Sequence, residues 1–158
     1  MSSSAPTISY PESTIPRPLW EYVAHIRVSV DELRDLQAAP AASVRVFLGS
    51  PPSGPTEWPT AVNLAGAKGN INEGYVHLNA AISRHFQPGL FNPEVIVPYL
   101  TKTLQWRVQK GNGSPIEPES LNVIVFATPL SYPPDSICPV SGQRTYYKDI
   151  TYGRKAGS

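Results

Sequence analysis

Trp20 to Val30, WEYVAHIRVSV, is the stretch of the sequence that decides the fold. Every second residue from Trp20 onward is apolar, and the residues between them are mostly polar. A period of two places one face of the segment in a core and the other face near water. The stretch therefore predicts a β-strand.

Other segments along the chain show similar strand patterns. Ser43 to Gly49 (SVRVFLG) and Leu104 to Gln109 alternate in the same way, and Leu121 to Thr128 (LNVIVFAT) is apolar enough for a central strand. A short strand is expected at Tyr75 to Leu78, and an edge strand within Tyr146 to Tyr152. Turn residues separate these segments, which is typical of an antiparallel sheet.

Long helices are disfavoured because the chain contains 18 prolines and 11 glycines. Short helices are expected where a capping residue precedes an apolar run, at Asp31, Asn79 and Asn92. Pro93 suits the first helical position after Asn92, and Pro98 is expected to interrupt that helix. We predict an all-β fold, an antiparallel β-sandwich or barrel-like sheet, with one or two short helices.

The length of 158 residues predicts one domain, and we place it at residues 19–158. Residues 1–18 are rich in serine and proline, so we expect an extended or mobile segment there. That segment has neither a basic start nor an apolar run, and no stretch is long enough to span a membrane. Cys138 is the single cysteine and excludes a disulfide within the chain. We expect an intracellular, cytoplasmic protein.

The charge of the chain argues against nucleic acid as a partner. Thirteen basic and twelve acidic side chains give a formal charge of +1, with no basic run longer than Arg154-Lys155. Binding to phosphates requires a concentrated basic face.

The residues that could carry chemistry do not form a known motif. His25, His77 and His85 lack the spacing of a recognised metal site, and an isolated histidine more often has a structural role. Cys138 has no neighbouring histidine or helix start in the sequence to activate it. No phosphate-binding loop, GxSxG or HExxH motif occurs. We therefore predict neither an enzyme nor a cofactor.

Three fragments of the sequence, in their order and spacing, carry a family resemblance. They are VFLG at residues 46–49, PYL at 98–100 followed by LQWRV at 104–108, and DITYGR at 149–154. From about Trp20 to Gly157 the chain resembles the C-terminal domain of fungal tyrosinases.

The resemblance implies a β-sandwich-like domain that packs over the binuclear copper site of a tyrosinase catalytic domain. In that family an aromatic side chain occupies the substrate pocket, and many members carry a Cys-x-x-Cys pair that is thought to help deliver copper. The catalytic domain needs six histidines for its coppers, so this chain with three is not the oxidase. Whether it is a free-standing relative or an excised domain stays open.

Asn63 to Leu78, NLAGAKGNINEGYVHL, corresponds by position to the family segment that holds the aromatic plug and the cysteines. Here it is glycine-rich, contains no cysteine, and looks like a soft loop. Leu64, Ile71 and Tyr75 are the candidates for docking into a partner. The alternative is that Leu64 and Tyr75 pack down while Ile71 sits at the loop tip.

Our leading hypothesis from the sequence is a non-enzymatic accessory domain that binds a tyrosinase catalytic domain. The alternative is a free-standing module that binds carbohydrate or another small ligand through Trp58, Tyr75 and Tyr99. In the other interpretation of Trp58, its side chain binds no ligand and anchors its proline-rich loop to the body of the domain. Val23 and Phe47 are apolar on otherwise polar strand faces, so each requires a cover or a partner. Self-association through exposed edge strands also stays open.

Overall fold

The structure of the protein is a computed structural model that describes residues 19–87, 91–131, 133–135, 137–154 and 157. The predicted N-terminal segment, residues 1–18, lies outside the described residues.

The opening stretch forms the first strand, β1 (Leu19–Arg27), of a sheet that we call sheet A. Its other strands are β4 (Glu73–His77), β7 (Asn122–Ser131), β8 (Val140–Ser141) and β9 (Thr145–Tyr147). The order is β4-β1-β7-β8, and β9 also pairs with β7; all pairs are antiparallel. The prediction of a central, largely apolar strand near residues 121–128 is confirmed by β7.

A second antiparallel sheet, sheet B, has the strand order β3-β2-β5-β6. Its strands are β2 (Ser43–Leu48), β3 (Leu64–Lys68), β5 (Leu104–Gln109) and β6 (Pro115–Ile116). Apolar residues of both sheets share one core, in which Ile26, Val46, Leu104 and Val125 have no exposed surface. The predicted fold class, an antiparallel β-sandwich, is confirmed.

Tyr22 of β1 shows how the core accommodates a polar atom. Its side chain is fully buried, and its hydroxyl donates a hydrogen bond of 2.7 Å to the backbone carbonyl of Phe91. Burial, with a smaller contribution from Tyr147, raises the pKa of Tyr22 well above its ordinary value, because the phenolate would lose its hydration. The phenol therefore stays neutral in the core.

The helices are short and lie between strands. They are α1 (Val30–Asp35), α2 (Asn79–Ile82) and α3 (Pro93–Thr103), with 3-10 helices at Pro55–Thr60 and Lys148–Ile150. Within the described parts of the chain, none of these helices has the length and apolar character needed to cross a membrane.

The cap of α1 differs from the prediction. Ser29, rather than Asp31, is the N-cap, and its hydroxyl accepts a hydrogen bond of 3.3 Å from the backbone N–H of Glu32. Ser29 has extended backbone dihedrals, as an N-cap requires, so the helix begins before Asp31 can act as its cap. Asp31 lies in the first turn instead.

Asn79 is also not a cap, because its side chain extends the pairing between β4 and β1. Its Oδ1 accepts a hydrogen bond of 2.8 Å from the backbone N–H of Tyr22, and its Nδ2 donates one of 3.0 Å to the carbonyl of Trp20. The side-chain amide of Asn79 thus makes the pair of hydrogen bonds to β1 that the backbone of one more β4 residue would make. The predicted cap is wrong, and α2 begins at Asn79 itself.

Helix α3 begins as predicted, with Asn92 as N-cap and Pro93 in its first turn. The predicted interruption at Pro98 is wrong, because the helix continues to Thr103. Pro98 is exposed, whereas Ile96 and Leu100 on the same helix are fully buried. The free energy gained by burying these two side chains offsets the cost of the backbone hydrogen bond that proline cannot make.

The glycine-rich stretch from Asn63 to Leu78 is not a soft loop; it contains the edge strands β3 and β4. Strand β3 joins sheet B and β4 joins sheet A, so the chain crosses between the sheets here. A Cβ atom on Gly66 would lie 2.6 Å from a methyl group of Val76, and one on Gly74 would lie 2.7 Å from the side chain of Lys68. These glycines serve a close approach of strands rather than a ligand.

Candidate functional site

Phe47 and Val23 lie on the outer faces of the two sheets, yet both are buried. Trp58 covers Phe47, with the rings edge to face and their centroids 6.4 Å apart. Trp58 is buried against Phe47 of β2, which confirms the prediction that it anchors its loop to the body. Its indole also donates a hydrogen bond of 2.7 Å to the carbonyl of Pro52 within the loop. A loop of the chain itself therefore covers the outer face of sheet B at Phe47.

The outer face of sheet A is covered by side chains of the sheet itself and of the segment around β9. We call this group of side chains the aromatic face. Its members come from β1, β4, β7 and the segment around β9: His25, Tyr75, Phe126, Arg144 and Tyr146. These residues lie together because cross-strand pairing aligns them. His25 is opposite Tyr75, and Phe126 is opposite Tyr146.

His25 and Tyr75 form one end of the aromatic face. Their rings are stacked, with centroids 4.6 Å apart and planes inclined by 11°. The Nε2 atom of His25 lies 2.6 Å from Oε2 of Glu73 on β4. Because these contacts hold the imidazole on both sides, His25 keeps Tyr75 in a defined orientation.

Phe126 lies at the centre of the aromatic face. Its ring centroid is 6.2 Å from that of Tyr75, in an edge-to-face arrangement, and 5.4 Å from that of Tyr146. Only 3% of Phe126 is exposed although it faces away from the core. The surrounding side chains therefore shield it from water.

Arg144 lies over these rings. Its guanidinium carbon is 4.3 Å from the ring centre of Phe126 and 5.8 Å from that of Tyr75, distances at which a cation is attracted to a ring. Its Nη1 donates a long hydrogen bond of 3.5 Å to the hydroxyl of Tyr146, and this contact raises the pKa of Arg144 further. Among the described residues, no carboxylate lies within ion-pair distance of Arg144.

A groove of about 370 Å³ runs over β1 and β7 beside Arg144. Val23 and Phe126 contribute its apolar surface, and Tyr75 lines it from β4. Glu21 and His77 also line the groove, and Oε2 of Glu21 lies 3.2 Å from Nδ1 of His77. The groove therefore combines apolar walls with charged groups.

The two tyrosines of the aromatic face are partly exposed. Tyr75 is 44% exposed and Tyr146 46%. Apolar residues that are grouped and exposed in this way are typical of interaction surfaces.

The structure separates the residues that the sequence suggested for docking. Tyr75 is on the aromatic face, whereas Leu64 is half-buried on β3 in sheet B. Ile71 lies in the turn between β3 and β4 but is only 3% exposed, and its N–H donates to the carbonyl of Ala42. The expectation that Ile71 sits at an exposed loop tip is wrong, because its side chain fills the core. Docking of a partner through Leu64, Ile71 and Tyr75 stays a prediction, to which the buried Ile71 offers little surface.

The aromatic residues suggested for carbohydrate binding do not share a surface. Trp58 is buried on the outer side of sheet B, and Tyr99 lies on α3 with its ring 4.9 Å from that of Phe86. Only Tyr75 belongs to the groove. No observation favours carbohydrate as the ligand.

The histidines are also divided. His25 and His77 lie on neighbouring strands of sheet A, and His85 lies 6.0 Å from the ring of Tyr99. Across the described residues, no three histidine, cysteine, aspartate or glutamate side chains are grouped so that they could hold a metal ion. Cys138 is exposed just before β8.

The sequence did not single out Phe126, Arg144 or Tyr146. Phe126 lies in a strand that is apolar on both faces, so the pattern does not show which residues face outward. Arg144 and Tyr146 follow a segment of turns, where periodicity carries no information. The sequence predicted an edge strand within Tyr146 to Tyr152, and the structure has β9 at Thr145–Tyr147, but this prediction did not indicate which side chains lie against Phe126.

Comparison with known proteins agrees with this architecture. A family model described as the tyrosinase C-terminal domain matches residues 21–125. A structure of recombinant mushroom tyrosinase covers 87% of this chain at 19% identity with a TM-score of 0.66. A structure described as containing latent and active mushroom tyrosinase covers 86% at 19% identity with a TM-score of 0.63. No curated protein sequence matches the chain.

At this level of identity the structural matches indicate a common fold. The present chain spans 26% of the length of each mushroom tyrosinase chain. The matched part is therefore about a quarter of a larger protein.

Proposed function

The chain belongs to the tyrosinase C-terminal domain family, and from this we propose that it is a non-enzymatic accessory domain that binds a tyrosinase catalytic domain. In that role it would shield or assist the binuclear copper site of its partner. The observation that carries the proposal is the exposed aromatic side chain of Tyr75 on the outer face of sheet A.

The aromatic face has the composition of a docking surface. Its rim consists of exposed Tyr75 and Tyr146, and its centre is the buried ring of Phe126. Interface centres are enriched in aromatic residues and arginine, and here Arg144 lies over the central ring. Tyr75 is held by His25, so little side-chain entropy would be lost on binding.

The described side chains support an accessory role rather than catalysis. A binuclear copper site of the tyrosinase type needs six histidines, and this chain has three, which do not converge. Delivery of copper by a pair of thiolates is not part of the proposal, because Cys138 is the only cysteine. What we propose is therefore contact with a partner without a metal in this domain.

The test is to mix the purified chain with a tyrosinase catalytic domain that lacks its own C-terminal domain. Complex formation is measured by sedimentation, and oxidation of a diphenol substrate is followed in parallel. We expect a complex and a change in oxidation rate, and Tyr75→Ala should weaken both.

Tyr152→Ala is the matched control, because Tyr152 is an exposed tyrosine outside the aromatic face, with 84% of its surface exposed. It should leave binding unchanged. Neither complex nor change in rate with the unaltered chain would contradict the proposal. Equal weakening by both substitutions would contradict the assignment of the docking surface to the aromatic face.

A further inference from the structure

We infer that the groove on the outer face of sheet A binds a small aromatic monocarboxylate, with Arg144 holding the carboxylate group. This inference concerns the isolated chain and does not rest on the binding of a tyrosinase. It follows from the charge, the shape and the lining of the groove.

Within the described residues, the groove leaves Arg144 without an acidic partner at ion-pair distance. Glu21 and His77 are paired with each other at 3.2 Å, and Glu73 is paired with His25 at 2.6 Å. Among the described residues, Arg144 contacts neutral rings and a tyrosine hydroxyl, and no carboxylate reaches it. A guanidinium without an acidic partner is complementary to an anion from outside the chain.

The geometry of Arg144 favours a carboxylate in particular. The guanidinium carbon of Arg144 lies 4.3 Å from the ring centre of Phe126. The planar fork of a guanidinium can donate two parallel hydrogen bonds to a carboxylate. Tyr146 also contacts the guanidinium at 3.5 Å, and this contact favours its position over Phe126 before a ligand arrives.

The rest of the groove suits a single ring. Its volume of about 370 Å³ lies near the lower limit of small-molecule sites. Tyr75, which is 44% exposed, offers an aromatic wall, and the nearly buried side chains of Val23 and Phe126 form the floor of the groove. An aromatic ring bonded to a carboxylate could contact these groups while the carboxylate reaches Arg144.

Glu21 restricts the ligand to one carboxylate. It lines the same groove as Arg144, so a second negative charge on the ring would approach its side chain. Like charges in one site repel each other. A dicarboxylate should therefore bind more weakly than the monocarboxylate.

The test uses nuclear magnetic resonance of the full chain with three probes: phenylacetate, its neutral analogue phenylacetamide, and 1,4-phenylenediacetate. Phenylacetate should shift the signals of Arg144 and its neighbours in a saturable way. The amide should give no saturable shift, and the dicarboxylate should bind more weakly. Acetate should bind at least about tenfold more weakly than phenylacetate, because it lacks the ring.

Arg144→Gln should weaken binding of phenylacetate by about tenfold or more, since it removes a charge-assisted hydrogen bond. Arg34→Gln is the matched control, because Arg34 is an exposed arginine on α1 with an ion pair to Asp31. It should leave the affinity unchanged.

Equal affinity for the acid and the amide in the unaltered chain would overturn the inference, and this comparison needs no variant. Unchanged affinity after Arg144→Gln, or binding of glucose and cellobiose at the groove in place of the acid, would overturn it as well. None of these three results bears on the proposed docking of a tyrosinase, because docking is measured separately with the protein partner.

Discussion

His25 of β1 stacks on Tyr75 of β4, with ring centroids 4.6 Å apart and planes inclined by 11°. The two residues are 50 positions apart in sequence number yet directly opposite each other in the antiparallel pair. The stack fixes an exposed phenol on the edge strand of sheet A.

Tyr75→Ala should lower the free energy of unfolding by about 1 kcal/mol, because an aromatic pair contributes roughly that much beyond area burial. The urea midpoint of unfolding measures the change. Tyr152→Ala removes an exposed tyrosine that stacks on no described ring and should shift the midpoint little. Equal shifts for the two variants would show that the stack contributes nothing specific.

Asn79→Ala should lower the free energy of unfolding by about 2 kcal/mol, because it leaves the N–H of Tyr22 and the carbonyl of Trp20 without their partners. Asn92→Ala serves as control, since the Asn92 side chain makes no capping hydrogen bond. The comparison again uses urea unfolding. If Asn92→Ala proved as costly as Asn79→Ala, the amide of Asn79 would not act as an extension of the sheet.

Arg154→Lys should also destabilise the fold by about 2 kcal/mol, although the charge is kept. The guanidinium donates to the carbonyls of Ile150 and Leu104 and lies 5.3 Å from the ring centre of Trp106. Lysine cannot reproduce this planar set of donors. Burial lowers the pKa of Arg154, which agrees with its enclosed position.

Thermal unfolding of Arg154→Lys and of Arg34→Lys provides the measurement and its control. Arg34 is exposed on α1, so its replacement should have little effect. A loss of stability in the second variant alone would contradict the structural role of Arg154.

The carboxylate of Glu32 should make part of the stability depend on pH. It accepts hydrogen bonds from the hydroxyl and N–H of Ser120 and from the N–H of Glu119. These bonds, the hydroxyl of Ser120 first, lower the pKa of Glu32. A lowered pKa in the folded state adds stability above the unfolded pKa of about 4.3, and this stability is lost as the pH falls through the folded pKa.

Glu32→Gln should therefore be less stable than the unaltered chain at neutral pH, with the difference shrinking as the pH falls below about 4. Urea unfolding between neutral and acidic pH measures the difference. Glu94→Gln is the control, because the Glu94 carboxylate makes no hydrogen bond within the described residues. A difference between Glu32→Gln and the unaltered chain that is independent of pH would contradict the role of the carboxylate.

Patterns within single segments of the sequence predicted most of the strands and the start of α3. The alternation from Trp20 to Val30 predicts β1 because a strand exposes every second side chain to the same environment. Asn92 and Pro93 predict the start of α3, because asparagine is preferred at the N-cap and the fixed φ of proline suits the first helical position, although the Asn92 side chain makes no capping hydrogen bond. The predicted caps of α1 and α2 are wrong because Ser29 accepts the capping hydrogen bond of α1 and the Asn79 side chain bonds the backbone of β1 instead of α2.

Contacts between distant parts of the chain decided the rest. Sequence alone established the strand-rich fold class, and its family resemblance is supported by a match over residues 21–125. It did not show that β3 and β4 join different sheets, nor that Arg144 lies over Phe126. Pairing and stacking depend on which strands meet after folding, and a pattern within one strand contains no information about its partner. The aromatic face is therefore a product of the tertiary structure.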